Sequence, residues 1–147
     1  MGKKKSAVSY RIVPDTNSII SALIFSRQKM VWLRQSWQSG AIIPLVSKET
    51  ASELLKVLSY PKFKLTNRER LILLADFMPY VETVTLLEVP PDLPVIRDKA
   101  DQIFITLAVV GNADALVTGD NDLLVLKDSF KTPPIMSLSE FEQWHKS

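Results

Sequence analysis

The sequence predicts an α/β protein: a three-layer α/β/α sandwich around a central, mostly parallel sheet. Short apolar runs of strand length alternate with longer runs whose apolar residues recur at helical spacing. That alternation is the pattern of βαβ units, whose crossovers cover both faces of a parallel sheet with helices. Two of the apolar runs end abruptly in Asp, at Pro14-Asp15 and at Gly119-Asp120, and strand ends are where open α/β sheets carry their chemistry. At 147 residues, 46% apolar and 23% charged, the chain can bury a real core and is too apolar for disorder. It shows no internal repeat, low-complexity segment or linker. One domain is expected over residues 1–147, with residues 1–6 a flexible basic tail.

The elements follow in order. Ala7 to Val13 reads as a strand ended by Pro14 and Asp15. Asn17 to Phe25 places Ile19, Ile20, Leu23 and Ile24 on one helical face. A second helix is expected from Met30 to Ser39, with Met30, Leu33 and Trp37 on one face and Gly40 as its C-cap. Trp32, Trp37 and Met30 are read as core rather than as a dimer face. Ala41 to Val46 is a strand. Ser47 then caps a helix through Ala51, Leu54, Leu55 and Leu58, broken at Tyr60-Pro61. Thr66 with Glu69 forms a capping box for a helix that stops at Pro79. Val81 to Val89 is strand-like, and Pro90, Pro91 and Pro94 make an extended connection. A helix from Asp101 to Val110 closes at Gly111-Asn112. Ala115 to Thr118 and Pro133 to Met136 are strands, and Ser137 or Ser139 caps a last helix through Phe141 and Trp144.

Composition excludes several chemistries. There is no cysteine, which removes disulfides, thiolate nucleophiles and Cys-based metal sites. The one histidine, His145, cannot build a His-rich metal site and is expected to be solvated near the chain end. No apolar stretch approaches the roughly 20 residues of a membrane span, and the basic start is not followed by a long apolar region. A cytoplasmic protein without a membrane segment is expected. The net charge of +2 neither demands nor excludes nucleic acid. Catalysis, if present, must run on carboxylates, hydroxyls, amines or a metal.

Taken singly, each notable acid has an ordinary explanation. Asp15 suits a turn or helix cap, and Thr16 and Asn17 can hydrogen-bond a neighbouring carboxylate. Glu53 is a helical Glu beside Leu54-Leu55, and Asp101 suits the positive end of a helix dipole. Asp120 and Asp122 suit a turn. Jointly they say more, because a right-handed parallel sheet gathers strand ends and the following helix starts on one edge. Several carboxylates there repel one another unless a cation joins them. Oxygen-only ligands favour Mg²⁺ or Mn²⁺ over zinc.

Four ordered blocks resemble the PIN-domain ribonuclease family, most clearly VapC-like toxins of prokaryotic toxin–antitoxin pairs. The blocks run from Ile12 to Leu23, from Ser47 to Leu58 with Tyr60-Pro61-Lys62-Phe63 after it, from Arg97 to Phe104, and from Ala113 to Leu124. The tail from Pro134 to Phe141 is also similar. The resemblance implies an α/β/α sandwich with a divalent metal site. It carries the family's acids onto Asp15, Glu53, Asp101 and Asp120, with Asp122 accessory and Thr16, Asn17 and Thr118 as polar supports. Relatives often have a denser acidic string in the third block, so Asp98 is a second choice beside Asp101.

The expected function is metal-dependent hydrolysis of single-stranded RNA, with Mg²⁺ or Mn²⁺ at Asp15, Asp101, Asp120 and Glu53, and Asp122 nearby. Lys62, Lys64, Arg68 and Arg70 are candidates to grip flanking phosphates. The resemblance also implies a homodimer and a small antitoxin protein as partner. The alternative is a catalytically silent PIN-like module that binds RNA or protein. Phosphotransfer through an aspartyl phosphate is disfavoured, because the second Asp such a motif needs is Asn17 here.

Overall fold

A computed structural model describes residues 9–24, 31–86, 93, 99–128 and 133–146. Among the described residues five strands form one sheet: β1 (Tyr10–Pro14), β2 (Ile42–Val46), β3 (Glu82–Thr83), β4 (Ala115–Val117) and β5 (Ile135–Met136). Their spatial order is β3-β2-β1-β4-β5, and every pairing is parallel. Among the described residues the helices are α1 (Thr16–Ile24), α2 (Val31–Ser39), α3 (Lys48–Leu58), α4 (Asn67–Ala75), α5 (Lys99–Val110), α6 (Asn121–Leu124) and α7 (Leu138–Lys146).

The central strands are buried on both faces, and alternation along them divides their side chains between two cores. Ile12, Ile42, Val46, Ala115 and Val117 join α1, α2, α3 and α7 in one core through Ile19, Leu33, Trp37, Leu54, Leu58 and Phe141. Val13, Leu45 and Leu116 face the other way, against Phe104, Ile105, Leu107 and Ala108 of α5 and Leu123 of α6. This is the predicted α/β/α sandwich. Trp37 is fully buried, set edge-on to Phe77, and its indole N–H donates to the Asp76 carbonyl at 3.0 Å. Trp32 is half-buried against the same core. Both tryptophans are therefore core residues, while Met30 lies outside the described residues.

Some boundaries differ from the expectation. Of the long strand expected from Val81 to Val89, the described part pairs at Glu82 and Thr83, opposite Leu45 and Val46, and the Val84 N–H still donates to the Val46 carbonyl at 2.8 Å. β3 is an edge strand with exposed side chains, so nothing beyond it rewards further pairing. Val84 and Leu86 instead turn onto the α5 core. Residues 87–89, the prolines at 90, 91 and 94, and residues 7 and 8 of the expected first strand lie outside the described residues. His145 is not solvated. It is half-buried, stacked 5.7 Å from Phe141, with its ring 6.2 Å from Trp32. Phe141 and His145 are four residues apart, hence on the same helical face.

The amino-terminal edge of the sheet is held by Arg11. Its guanidinium contacts Glu82 at 2.6 Å and donates to the Gly111 carbonyl at 2.8 Å, while its backbone N–H donates to Asp114 at 2.8 Å. That pairing ties β1 to β3 and to the end of α5. The hydrogen bond from Arg11 holds the Glu82 carboxyl below the usual carboxylate range.

Candidate metal centre

The opposite, carboxyl-terminal edge gathers the acids. Pro14 stands beside Val117 in the β1–β4 register, and the Asp15 N–H donates to the Val117 carbonyl at 3.0 Å. Asp15 and Thr118, the next residues after the two strands, are therefore neighbours. The Thr118 hydroxyl donates to Asp15 Oδ2 at 2.6 Å, and Thr118 is fully buried. Asp15 also caps α1: Oδ1 accepts from the Ser18 N–H at 2.9 Å and from the Ser18 hydroxyl at 2.5 Å. Only 6% of Asp15 is exposed, so these three bonds are what make a buried carboxylate tolerable.

Of the polar supports expected from the resemblance, Thr118 bonds the Asp15 carboxylate. Thr16 and Asn17 make no such bond among the described residues, and Ser18 supplies the other two. The helix begins at Thr16, so the third residue after the cap is the one whose N–H faces the cap carboxylate. Asn17 is exposed. Thr16 is buried, and its Oγ1 has no hydrogen-bond partner among the described residues. The sequence signal for Ser18 was present in its Asp-x-x-Ser spacing, the reach of an N-cap.

From Thr118 the network continues to the second pair of acids. The Asp120 N–H donates to Thr118 Oγ1 at 2.9 Å, and the Asp122 N–H donates to Asp120 Oδ1 at 2.8 Å. Asp120 is thus the N-cap of α6. Asp122 sits in the first turn of that helix, close enough to share a ligand with Asp120.

Asp101, in the first turn of α5, is buried at 8% exposure. One carboxylate oxygen from each of Asp101, Asp120 and Asp122 lies within 4.8 Å of the others. Two unit charges at that separation repel by roughly 3–4 kcal/mol at an effective dielectric near 20. Three such pairs favour a bound cation strongly. Oxygen-only donors suit a hard divalent ion. The unpartnered Thr16 Oγ1, at the start of the helix that Asp15 caps, is a further buried oxygen that a hydrated ion would satisfy.

Asp15 and Glu53, both expected at the metal, lie outside this trio. Glu53 is half-buried on α3, in a cleft of about 410 Å³ lined by Lys48, Glu49, Ser52, Lys56 and Ile103 of α5. Ser47 fixes the start of α3 by a reciprocal capping box with Thr50, and Leu54 and Leu58 anchor its inner face. Asp98 lies outside the described residues. The basic residues Lys62, Lys64, Arg68 and Arg70 follow the end of α3. That helix leaves the carboxyl edge and runs 11 residues, about 16 Å, toward the other edge, so these four cations begin a helix length away from the acids.

A family model described as PIN domain matches residues 11–122. Among solved structures, the chain is similar to the crystal structure of VapBC2 from Rickettsia felis bound to a DNA fragment from their promoter. That likeness has a TM-score of 0.58 and 17% identity, covering 86% of this chain and 96% of that one. A comparison with curated proteins returns no match.

Proposed function

The chain belongs to the PIN domain family, and on that premise we propose that it is a metal-dependent ribonuclease that hydrolyses phosphodiester bonds in single-stranded RNA, acting as the toxin of a toxin–antitoxin pair. The observation that carries this reading is the trio Asp101, Asp120 and Asp122, three carboxylates within 4.8 Å at the carboxyl edge of a parallel sheet.

Asp101, Asp120 and Asp122 would hold Mg²⁺ or Mn²⁺. When bound, such an ion supplies Lewis acidity to the phosphoryl group and a water made nucleophilic at neutral pH. The protein's own part is positioning. A carboxylate has about four acceptor sites, and Asp15 uses three of them on Ser18 and Thr118. The fourth is left for the ion or its water. The Thr118 hydroxyl fixes Asp15 and Asp120 together, so neither needs reorganising when substrate arrives. Glu53, across the cleft from Ile103, would orient the attacking water or a second ion.

The toxin role rests on the family and on the fold shared with VapBC2. An antitoxin or a second copy of this chain would cover the apolar face of α3 and α4, where Leu55, Leu71 and Ile72 are 53%, 68% and 60% exposed. No helix among the described residues is long and apolar enough to cross a membrane.

The test is cleavage of a labelled single-stranded RNA with Mn²⁺ and with chelator. Cleavage should require the metal and fall more than about 100-fold in Asp15→Asn plus Asp120→Asn, since even groups that merely support metal ligands cost 10–100-fold. Equal cleavage by parent and double variant would overturn the proposal. A parent that neither cleaves RNA nor gives a calorimetric Mn²⁺ isotherm would point to the silent binding module instead.

A further inference from the structure

The proposed ribonuclease needs a path for the strand on either side of the bond it cuts, and the cleft between α3 and α5 has the chemistry of one. Its wall on α3 carries Lys48, Ser52 and Lys56 at four-residue intervals, hence in one row along the helix. Opposite is Ile103, two residues past Asp101 on α5 and half-buried, which gives the row an apolar facing wall. Lys48 begins α3 at the carboxyl edge of the sheet, the edge that carries the acids, and the row leads away from that edge.

The cations among the described residues differ in how they are used. Arg11 is paired with Glu82, Arg34 with Asp76 and Lys127 with Glu140. Arg70 is turned onto the Leu65 carbonyl and Asn67, and Lys62 lies over the Phe63 ring. Lys48, Lys56, Lys64 and Arg68 are exposed, and none has an ion pair or side-chain hydrogen bond among the described residues; of these four, Lys48 and Lys56 line the α3–α5 cleft. Lys56 makes none even to Glu53, three residues earlier on the same helix. Two lysines left unpaired beside their own acids are poised for an external anion.

We propose that Lys48 and Lys56 hold two phosphates of the RNA along α3, with Ser52 between them and Ile103 against a base, so that the α3–α5 cleft is the track of the strand leaving the acidic centre. The two lysines are eight residues apart, about 12 Å along the helix. That is roughly three steps of a stacked strand rising about 3.4 Å per nucleotide. This assignment rests on the ribonuclease reading. It replaces the sequence-derived grip of Lys62, Lys64, Arg68 and Arg70, which begins a helix length from the acids.

The experiment measures binding of a fluorescent single-stranded RNA to Asp120→Asn protein, cleavage-silent on the proposed mechanism, across a salt series. Each phosphate contact on a single strand contributes about 0.7 to the slope of log K against log salt. Lys48→Gln plus Lys56→Gln should lower that slope by about 1.4, each single change by about half as much. Lys48→Arg plus Lys56→Arg should restore it, and Lys64→Gln plus Arg68→Gln should leave it unchanged. All four side chains are exposed, so melting temperatures should not move. If the parent binds RNA and the double glutamine variant keeps its slope, the track is wrong and the ribonuclease reading stands. If the parent binds no RNA at any salt, the ribonuclease reading fails and the track falls with it.

Discussion

Thr118→Val isolates the hydroxyl that joins the two halves of the acidic centre. The side chain keeps its shape and its fully buried position, and loses one donor and one acceptor. The lost donor served Asp15 Oδ2 at 2.6 Å, and a hydrogen bond to a charged group is worth about 1.5–3 kcal/mol. The lost acceptor served the half-buried Asp120 N–H at 2.9 Å, worth about 1 kcal/mol more. The sum is about 3 kcal/mol. For 147 residues at roughly 2.1 cal/mol/K each, the unfolding entropy is near 0.3 kcal/mol/K, so melting should fall by about 10 °C. The assay is thermal unfolding followed by circular dichroism, with chelator present so that no metal contributes. Thr118→Ser keeps both bonds and should lose far less. A Thr118→Val protein melting within about 3 °C of the parent would refute the reasoning, because the Asp15 carboxylate would then not depend on that hydroxyl.

Two further outcomes are expected. Ser47→Ala removes a buried N-cap whose hydroxyl accepts from the Thr50 N–H at 3.1 Å, and should cost about 1–2 kcal/mol in denaturant unfolding; it should also weaken cleavage, since α3 carries Glu53. The Arg11–Glu82 pair gives a pH signature. The carboxyl is held low in the folded protein, mainly by its hydrogen bond from Arg11, so its contribution is present above the ordinary Glu range and disappears as pH falls through the lowered folded value. The pair is about a third to nearly half exposed, so the gain is under about 1 kcal/mol. Parent stability should exceed that of Glu82→Gln at neutral pH and converge with it in acid, read by urea midpoints at several pH values.

The buried strands and capped helices were legible in the sequence because local chemistry and tertiary burial agree there. Val13 and Ile12 read as strand and are buried on both faces; Ser47 with Thr50 and Thr66 with Glu69 read as helix starts and form capping boxes. Legibility failed where a neighbour decides. Residues 81–86 have strand composition throughout, but β3, at the edge of the sheet, pairs only beside the end of β2. The division of labour between Asp120 and Asp122 turns on which residue precedes the first helical turn, and Gly-Asp-Asn-Asp permits either. Ser18 was overlooked because Thr16 and Asn17 are nearer to Asp15 in sequence, although a helix presents its third residue to the cap. The four cations after α3 share a charge pattern with a phosphate grip, yet only the topology tells which edge of the sheet they approach.

The bond from Thr118 to Asp15 crosses between strands whose pairing is fixed by Pro14 against Val117. A slip of one residue between β1 and β4 would exchange every inward and outward side chain, and would also turn that hydroxyl to the wrong face. Asp15 would then be a buried carboxylate short of a donor, and Asp120 would lose the acceptor that sets its backbone. The acidic centre is thus assembled only in chains whose central strands have paired correctly. Metal affinity becomes a check on folding itself: a population misregistered at the core would announce the error at the surface, as protein that cannot take up the ion.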